Sequence, residues 1–280
     1  MRFGIKTAPQ HTTWDEMLAV WKAADDIELF ESAWNFDHFE PIFSDRTGPC
    51  LEGWSMLAAM AVATKRIRIG CQVTGMPYRH PSVLANIAAT VDVISGGRLD
   101  VGLGAGWNQT ESDMLGITLP PLKERFDRFD EGVEMIVKLL TVDEPIANFT
   151  GAYYSLNDAR CEPKPVQRPH PPIAIGGNGP TRTLRTVAKW AQHWNSLSDG
   201  PETWKKNHET LLQRCAEVGR DPKEIDCSVN LRWTGDVGAL AEQAAAFAEA
   251  GADIAIVGLT HPHTPEPLEA IANALAPIAG

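Results

Sequence analysis

The sequence predicts an α/β fold, a (β/α)8 or TIM barrel, in which eight parallel strands alternate with helices. Short apolar runs of strand length alternate with longer runs of helical period, eight of each. The 280 residues, 44% of them hydrophobic, are enough for one such barrel. A doubly wound sheet is the alternative, but it normally carries GxGxxG after its first strand, and none stands there.

The eight predicted strands are short apolar runs, several of them alternating, bounded by turn or capping residues. They cover 2–7, 32–36, 66–73, 98–103, 172–175, 193–196, 227–233 and 253–257. Between them, apolar residues recur at helical spacing, first after the capping residue Thr13. The further predicted helices lie near 52–64, 81–94, 120–140, 180–190, 202–218, 239–250 and 265–275.

Residues 145–169 interrupt this alternation. They contain four prolines and Gly151 around the pair Tyr153 and Tyr154. Because proline and glycine end regular elements, we expect a small hairpin or an extended loop here. The segment then forms an insertion before the fifth barrel strand, within a single domain that spans 1–280.

The charge balance limits the possible partners. The 36 acidic and 25 basic residues give a formal charge of −11, so nucleic acid and anionic membranes are poor partners. The five cysteines are scattered and odd in number, which argues against a disulfide framework or a zinc site. No signal peptide and no membrane span is apparent, so we expect a cytoplasmic protein.

The exits of the strands carry the candidate chemistry, because the loops there build the active site of a (β/α)8 barrel. Asp37 and His38 follow the second strand. A histidine can transfer a proton near neutral pH, and a neighbouring aspartate can fix its position or tautomer. We predict His38 and Asp37 as catalytic residues. The alternative is a helix cap beside a loop histidine.

Two further exits offer contacts to a ligand. After the third strand, the Thr74 hydroxyl can donate to a ligand carbonyl. After the fourth, alternate glycines that include Gly106 precede Trp107 and Asn108. Such glycines let a flat ligand approach the backbone, although tight packing in the barrel selects glycine too. Asn108 is expected either to bind the ligand or to cap the next helix.

The fifth strand leads into a glycine loop and a helix. The loop consists of Gly176, Gly177, Asn178, Gly179, Pro180 and Thr181. Exposed N–H groups and a helix N-terminus favour an anion, so we predict a phosphate here, with Arg182 or Arg185 adding charge. A plain glycine-rich turn is the alternative, since phosphate sites in barrels more often follow strands seven and eight.

Metal binding is not predicted. The only HxH pair is His261 and His263, with a proline between them and no carboxylate cluster nearby in the sequence.

Taken together, these stretches resemble the bacterial luciferase-like superfamily of flavin and deazaflavin oxidoreductases, in particular its actinobacterial branch that uses coenzyme F420. Each matching segment is short, but their order and spacing are specific. The segments are 32–34 with 37–38, 66–70, 78–81, 95–98, 102–108 and 172–177.

The resemblance implies a homodimeric barrel with the cofactor ring at its mouth and the cofactor phosphate on the loop of Gly176, Gly177, Asn178, Gly179 and Thr181. It places His38 near the ring with Asp37 in support, and Thr74 and Asn108 at the ring or its ribityl chain. A non-proline cis peptide behind the ring falls by position at Cys71–Gln72, and both residues are expected to contact the cofactor. The implied reaction is hydride transfer between C5 of F420, a deazaflavin, and a small organic substrate.

One departure concerns the substrate. The sugar-phosphate dehydrogenases of this family carry a glutamate directly after the glycine pair, where this chain has Trp107. The departure argues against glucose-6-phosphate. Glu111 lies one helical turn later and is either a partial substitute or surface charge.

Three alternative functions stay open. One is an FMN-dependent monooxygenase, which would need reduced flavin from a partner reductase. The second is a barrel lyase or isomerase that holds a phosphorylated substrate on the same loop, although no catalytic lysine on a strand and no acid pair is apparent. The third is a flavin-binding protein without catalysis.

Overall fold

A computed structural model of the chain describes all 280 residues. The strands are β1 Arg2–Lys6, β2 Phe30–Asp37, β3 Arg68–Gly75, β4 Leu99–Gly104, β5 Ala147–Thr150, β6 Ser155–Ala159, β7 Ile173–Gly176, β8 His193–Ser196, β9 Asp226–Arg232 and β10 Ile254–Gly258. The α-helices are α1 Trp14–Asp26, α2 Gly53–Ala63, α3 Pro81–Ser95, α4 Gln109–Leu115, α5 Leu122–Leu140, α6 Thr183–Trp190, α7 Pro201–Val218, α8 Val237–Ala250 and α9 Leu268–Leu275.

Eight of the strands form a closed parallel barrel in the order β1-β10-β9-β8-β7-β4-β3-β2. Each of the eight predicted strands is present, with its ends shifted by at most two residues, and the predicted TIM barrel is confirmed. The insertion before β7 forms an antiparallel hairpin of β5 and β6, one of the two forms expected for it. None of the helices is long and apolar enough to span a bilayer.

The helices form where their apolar faces meet the barrel. In α5, the buried residues Phe129, Val133, Ile136 and Leu140 recur at three- or four-residue spacing, so one stripe packs on the core. Helix α4 was not predicted, because its seven residues carry few apolar side chains and no clear period. It begins at the capping residue Asn108, whose side chain accepts the N–H of Glu111.

The strand pairing is irregular where the cavity lies. Cys71 still pairs with Asn35 of β2, but the registers of β2 with β3 and of β3 with β4 shift after this point. The non-proline cis peptide is Gln72–Val73, so the expectation of Cys71–Gln72 is wrong by one residue. The regular ladder extends through Cys71, and the irregular backbone therefore begins only after it.

Two arginines tie down the opposite, amino-terminal face of the barrel. Arg98, directly before β4, donates to four main-chain carbonyls, those of Ala61, Thr64, Ile67 and Ser95. Arg66, two residues before β3, binds the carbonyls around the end of α1, those of Ala24, Asp25, Ile27 and Phe30. Each guanidinium thereby satisfies carbonyls that a helix end leaves without a donor.

Replacing Arg98 by methionine is expected to lower the free energy of unfolding by about 2–4 kcal/mol, because several partly buried carbonyls lose their donor at once. The urea unfolding midpoint measures the loss. Arg160→Met is the control, since Arg160 is exposed and forms no hydrogen bond or ion pair, and it is expected to change stability by less than about 0.5 kcal/mol. Equal midpoints for the two variants would contradict the expectation.

Candidate functional site

A cavity of about 470 Å³ opens at the carboxyl ends of the barrel strands. Its polar side chains include Lys6 of β1, Gln72 of β3, Thr183 of α6, Asn195 of β8, and His38, which directly follows β2. The rest of its wall is glycine and apolar or aromatic side chains. A concave, mainly apolar site with few polar groups is typical of small-molecule and cofactor binding.

His38 lies in this wall and is held from behind. Its Nδ1 lies 2.8 Å from the Glu111 carboxylate, and Tyr78 donates its hydroxyl to the same carboxylate. Because a carboxylate only accepts, the His38 Nδ1 carries the hydrogen. Nε2 has no partner in the protein, while the ring itself lines the cavity. His38 is thus fixed in one tautomer, with its other nitrogen available to a ligand.

Glu111 is fully buried and is not surface charge. Burial opposes its ionisation, yet hydrogen bonds from His38, Tyr78 and the N–H of Phe39 hold the pKa of its carboxyl below the usual value. The group is therefore a carboxylate at neutral pH. A carboxylate in this position would stabilise the imidazolium form of His38.

Asp37 does not support His38, and that expectation from the sequence is wrong. Its carboxylate pairs with the Arg79 guanidinium, which also binds Glu52, the residue that caps α2. Burial raises the pKa of Asp37 despite this pairing. Asp37 and His38 are adjacent at a strand end, so their side chains point to opposite sides. The Asp37–Arg79–Glu52 cluster instead joins the exits of β2 and β3 to the start of α2.

Three other predicted contacts also face away from the cavity. Thr74 is fully buried, and its hydroxyl accepts the indole N–H of Trp54. Cys71 is fully buried as well and lines no part of the cavity, while Asn108 serves as the cap of α4. Thr74 faces Trp54 of α2, and Asn108 lies beyond the end of β4, so neither side chain lines the cavity.

The structure of the glycine loop differs from the prediction at one main-chain N–H group and at one arginine side chain. The N–H of Gly177 is bound to the Asn195 carbonyl at 3.1 Å and is not free. The N–H groups of Asn178, Gly179, Thr181, Arg182 and Thr183 have no acceptor in the protein. The Arg182 side chain pairs with two aspartates of α5, so it adds little net charge. An anion here would therefore be held by main-chain N–H groups.

The predicted loop residues split into two groups. Gly176 and Gly177 line the cavity, together with Gly106 of the fourth exit and Gln72 of the third. Asn178, Gly179 and Thr181 do not line it. The Asn178 side chain accepts from the Ser196 hydroxyl and the Leu197 N–H, which orders the exit of β8.

The floor of the cavity fits a flat polar ring. A Cβ at Gly104 would lie 2.7 Å from Val73, and one at Gly176 would lie 3.1 Å from it, so these glycines let Val73 lie against the backbone. Beside it, the Gln72 amide is 5% exposed, and neither its nitrogen nor its oxygen has a partner. A buried amide without partners is costly and marks a place for a ligand with hydrogen-bonding groups.

Aromatic side chains stand at the mouth near His38. Phe43 is 89% exposed and stacks on Trp107 with ring centroids 5.4 Å apart and planes 6° apart. Trp107 in turn meets the edge of His38 at 5.6 Å. Exposed stacked rings at a cavity mouth provide apolar surface for a ligand.

Lys6 was not predicted as a site residue, and Tyr78 was assigned no role. No catalytic lysine was expected on a strand, but Lys6 is the last residue of β1 and lines the cavity. Its position at a strand exit was the signal available. Tyr78 and Glu111 meet His38 only through tertiary structure, so no local pattern reveals them.

The fold and the cavity together define a (β/α)8 barrel with a pocket of small-molecule size, a histidine whose Nε2 has no partner, and a glycine loop with unpaired N–H groups. The chain belongs to the luciferase-like monooxygenase family, whose model matches residues 1–236. The proposed resemblance is thus confirmed, and the chain is an oxidoreductase of this class.

Two curated relatives show the range of the family. The F420-dependent glucose-6-phosphate dehydrogenase of Microbacterium testaceum is 30% identical over 83% of this chain and 68% of its own length. The 4-hydroxyprotoasukamycin monooxygenase of Streptomyces nodosus subsp. asukaensis is 32% identical over 62% of this chain. The chain spans about half, 46%, of that second relative.

Solved structures share the whole fold at lower identity. An F420-dependent secondary alcohol dehydrogenase in complex with an F420-acetone adduct superposes with a TM-score of 0.88 at 19% identity, over 100% of this chain and 99% of the other. The monooxygenase RslO1 from Streptomyces bottropensis gives 0.80 at 21% identity, over 100% of both chains.

Proposed function

We propose that this chain is an F420-dependent oxidoreductase that transfers a hydride between C5 of the deazaflavin and a small organic substrate. One arrangement carries the proposal. His38, held by buried Glu111, and the free N–H groups around Asn178 and Gly179 belong to one barrel mouth, with an unpartnered Gln72 amide on the floor beside them. F420-dependent relatives and structural neighbours support the choice of cofactor.

In this proposal each group has a distinct task. The N–H groups of the loop and of the start of α6 hold the cofactor phosphate, Gln72 binds polar atoms of the ring, and Val73 lies behind it. When bound, F420 supplies the carbon that accepts or gives the hydride. The His38 Nε2 takes the hydroxyl proton of an alcohol as its C–H hydride leaves, or returns it to a ketone. Glu111 holds the ring of His38 and balances its charge.

The same surroundings favour an apolar substrate over a sugar phosphate. Phe36, Ile42, Phe43 and Trp107 line the cavity on the side of His38. The cavity lining contains no arginine, the side chain that binds a phosphate in bidentate geometry, and Lys6 is its only lysine. This agrees with Trp107 standing where sugar-phosphate dehydrogenases carry glutamate.

The homodimer and the partner reductase that the resemblance implies stay predictions.

The monooxygenase relatives favour one rival, an FMN-dependent monooxygenase. Fluorescence titration of the purified protein with F420 and with FMN separates the two. We expect micromolar or tighter binding of F420 and weaker binding of FMN. Micromolar FMN binding without affinity for F420 would overturn the proposal.

A matched pair of variants tests the loop. Gly177 has φ 118°, a conformation that side chains rarely adopt, so Gly177→Ala must shift the loop. Gly219 has φ 69°, ends α7 and has open space around it, so Gly219→Ala adds backbone strain away from the loop. We expect the F420 Kd to rise about tenfold or more in Gly177→Ala and to stay unchanged in Gly219→Ala.

A further inference from the structure

Lys6 is a partly buried cation without a counter-ion. It ends β1 and lines the same cavity as His38 and Gln72. Its Nζ donates to the main-chain carbonyl of Gln72 at 2.9 Å and makes no other hydrogen bond, and no carboxylate lies within 4 Å of it. An ammonium has three N–H donors, so two of them are left for a ligand.

The surroundings of Lys6 add no negative charge. Burial lowers the pKa of Lys6 to about 8, and the only opposing group is the Cys71 thiol. Burial also raises the pKa of Cys71 well above its usual value, so that thiol is neutral. A pKa of about 8 leaves Lys6 mostly charged at neutral pH. An unpaired buried charge is costly, and it persists where a ligand supplies the opposite charge.

The Gln72 amide indicates what kind of ligand this is. Its oxygen and nitrogen are both buried and both lack partners, and the main-chain carbonyl of the same residue binds the Lys6 ammonium. One acceptor and two donors next to an ammonium match a heterocycle edge with alternating carbonyl and N–H groups that also carries negative charge. The pyrimidinedione half of a deazaflavin has this chemistry, and its charge becomes more negative on reduction.

Resting on the proposed function, we propose that Lys6 is the counter-ion of the reduced cofactor ring and sets its reduction potential. The C–H bond of the substrate breaks and its electron pair forms the new C–H bond at C5. The ring thereby gains one negative charge, which is spread over the pyrimidinedione, and the hydroxyl proton passes to His38. Lys6 pairs with that charge without giving up its proton, so it stabilises the reduced form more than the oxidised form.

The test compares Lys6→Met with Lys6→Arg, which keeps the charge, and with Lys22→Met, an exposed lysine without hydrogen bonds. Methionine replaces a partly buried charge by an apolar chain of similar length, so folding is expected to persist. Lys6→Gln serves as a second neutral variant. The Kd values of oxidised and reduced F420 and the potential of the bound cofactor are measured for each.

We expect Lys6→Met and Lys6→Gln to weaken binding of reduced F420 about tenfold more than binding of oxidised F420. For a two-electron couple this lowers the potential by about 30 mV. Lys6→Arg should recover most of the difference, and Lys22→Met should match the wild type. Equal losses in both redox forms, or no loss, would overturn the role of Lys6 while leaving the proposed function intact. A wild-type protein that binds F420 in neither form would overturn both.

Discussion

Replacing His38 by alanine is expected to lower the turnover number for any accepted substrate by about 10²–10⁴-fold, the usual contribution of a positioned acid or base. The physical reason is that Nε2 has no partner in the protein and the His38 ring lines the cavity, while Nδ1 is occupied by Glu111. The Kd for F420 should stay within about threefold, because the phosphate loop is unchanged. The measurement is F420 reduction or oxidation with a panel of alcohols, ketones and aldehydes.

His80→Ala is the matched control, because His80 is an exposed histidine that caps α3 and does not line this cavity. It is expected to retain wild-type turnover. If His38→Ala turns over at the wild-type rate, His38 has no catalytic role. If the wild type binds F420 but turns over no substrate, the chain is a binding protein and not an enzyme of this kind.

Replacing Glu111 by glutamine is expected to lower turnover by about 10²–10³-fold although Glu111 touches no substrate. The amide keeps the shape of the side chain but removes the charge that balances a proton on His38. It also permits the wrong tautomer of that ring. Because Glu111 is a positioning residue, the pH dependence of kcat/KM is measured as well, and we expect its profile to change in the variant, which a merely structural role would not cause.

The control for this change is Glu131→Gln. Glu131 also accepts several main-chain N–H groups, those of Ala152, Tyr153 and Tyr154, but it organises the insertion hairpin and does not line the cavity. The Glu131→Gln variant should have the same pH profile of kcat/KM as the wild type. Glu111→Asp, which keeps the charge, should recover part of the lost activity. Identical profiles for Glu111→Gln and the wild type would remove Glu111 from the mechanism.

The fold was predictable because each barrel strand coincides with a local apolar run. Each long helix likewise shows apolar residues at helical spacing. Helix α4 escaped because a polar seven-residue segment has no stripe to detect. The position of Gly176 and Gly177 in the cavity wall was also predictable, since consecutive glycines at a strand exit indicate a close approach to the backbone.

The partner of His38 was not predictable in the same way. Adjacency in the sequence suggested Asp37, but neighbours on a strand point to opposite sides, so adjacency there argues against contact. The true partner, Glu111, lies 73 residues away and arrives on a helix that local patterns did not reveal. Long-range contacts of this kind are fixed by the closure of the barrel and by no local signal.

Arg66 and Arg98, with their hydrogen bonds to main-chain carbonyls, lie at the end of the strands opposite the cavity. The arginine hydrogen bonds that stabilise the fold and the side chains that line the cavity therefore lie at opposite ends of the barrel. Libraries that diversify residues 39–50 at the mouth can change the substrate that the protein accepts, while the amino-terminal face of the barrel keeps its arginine hydrogen bonds. This separation makes the chain a suitable starting scaffold for directed evolution toward new substrates.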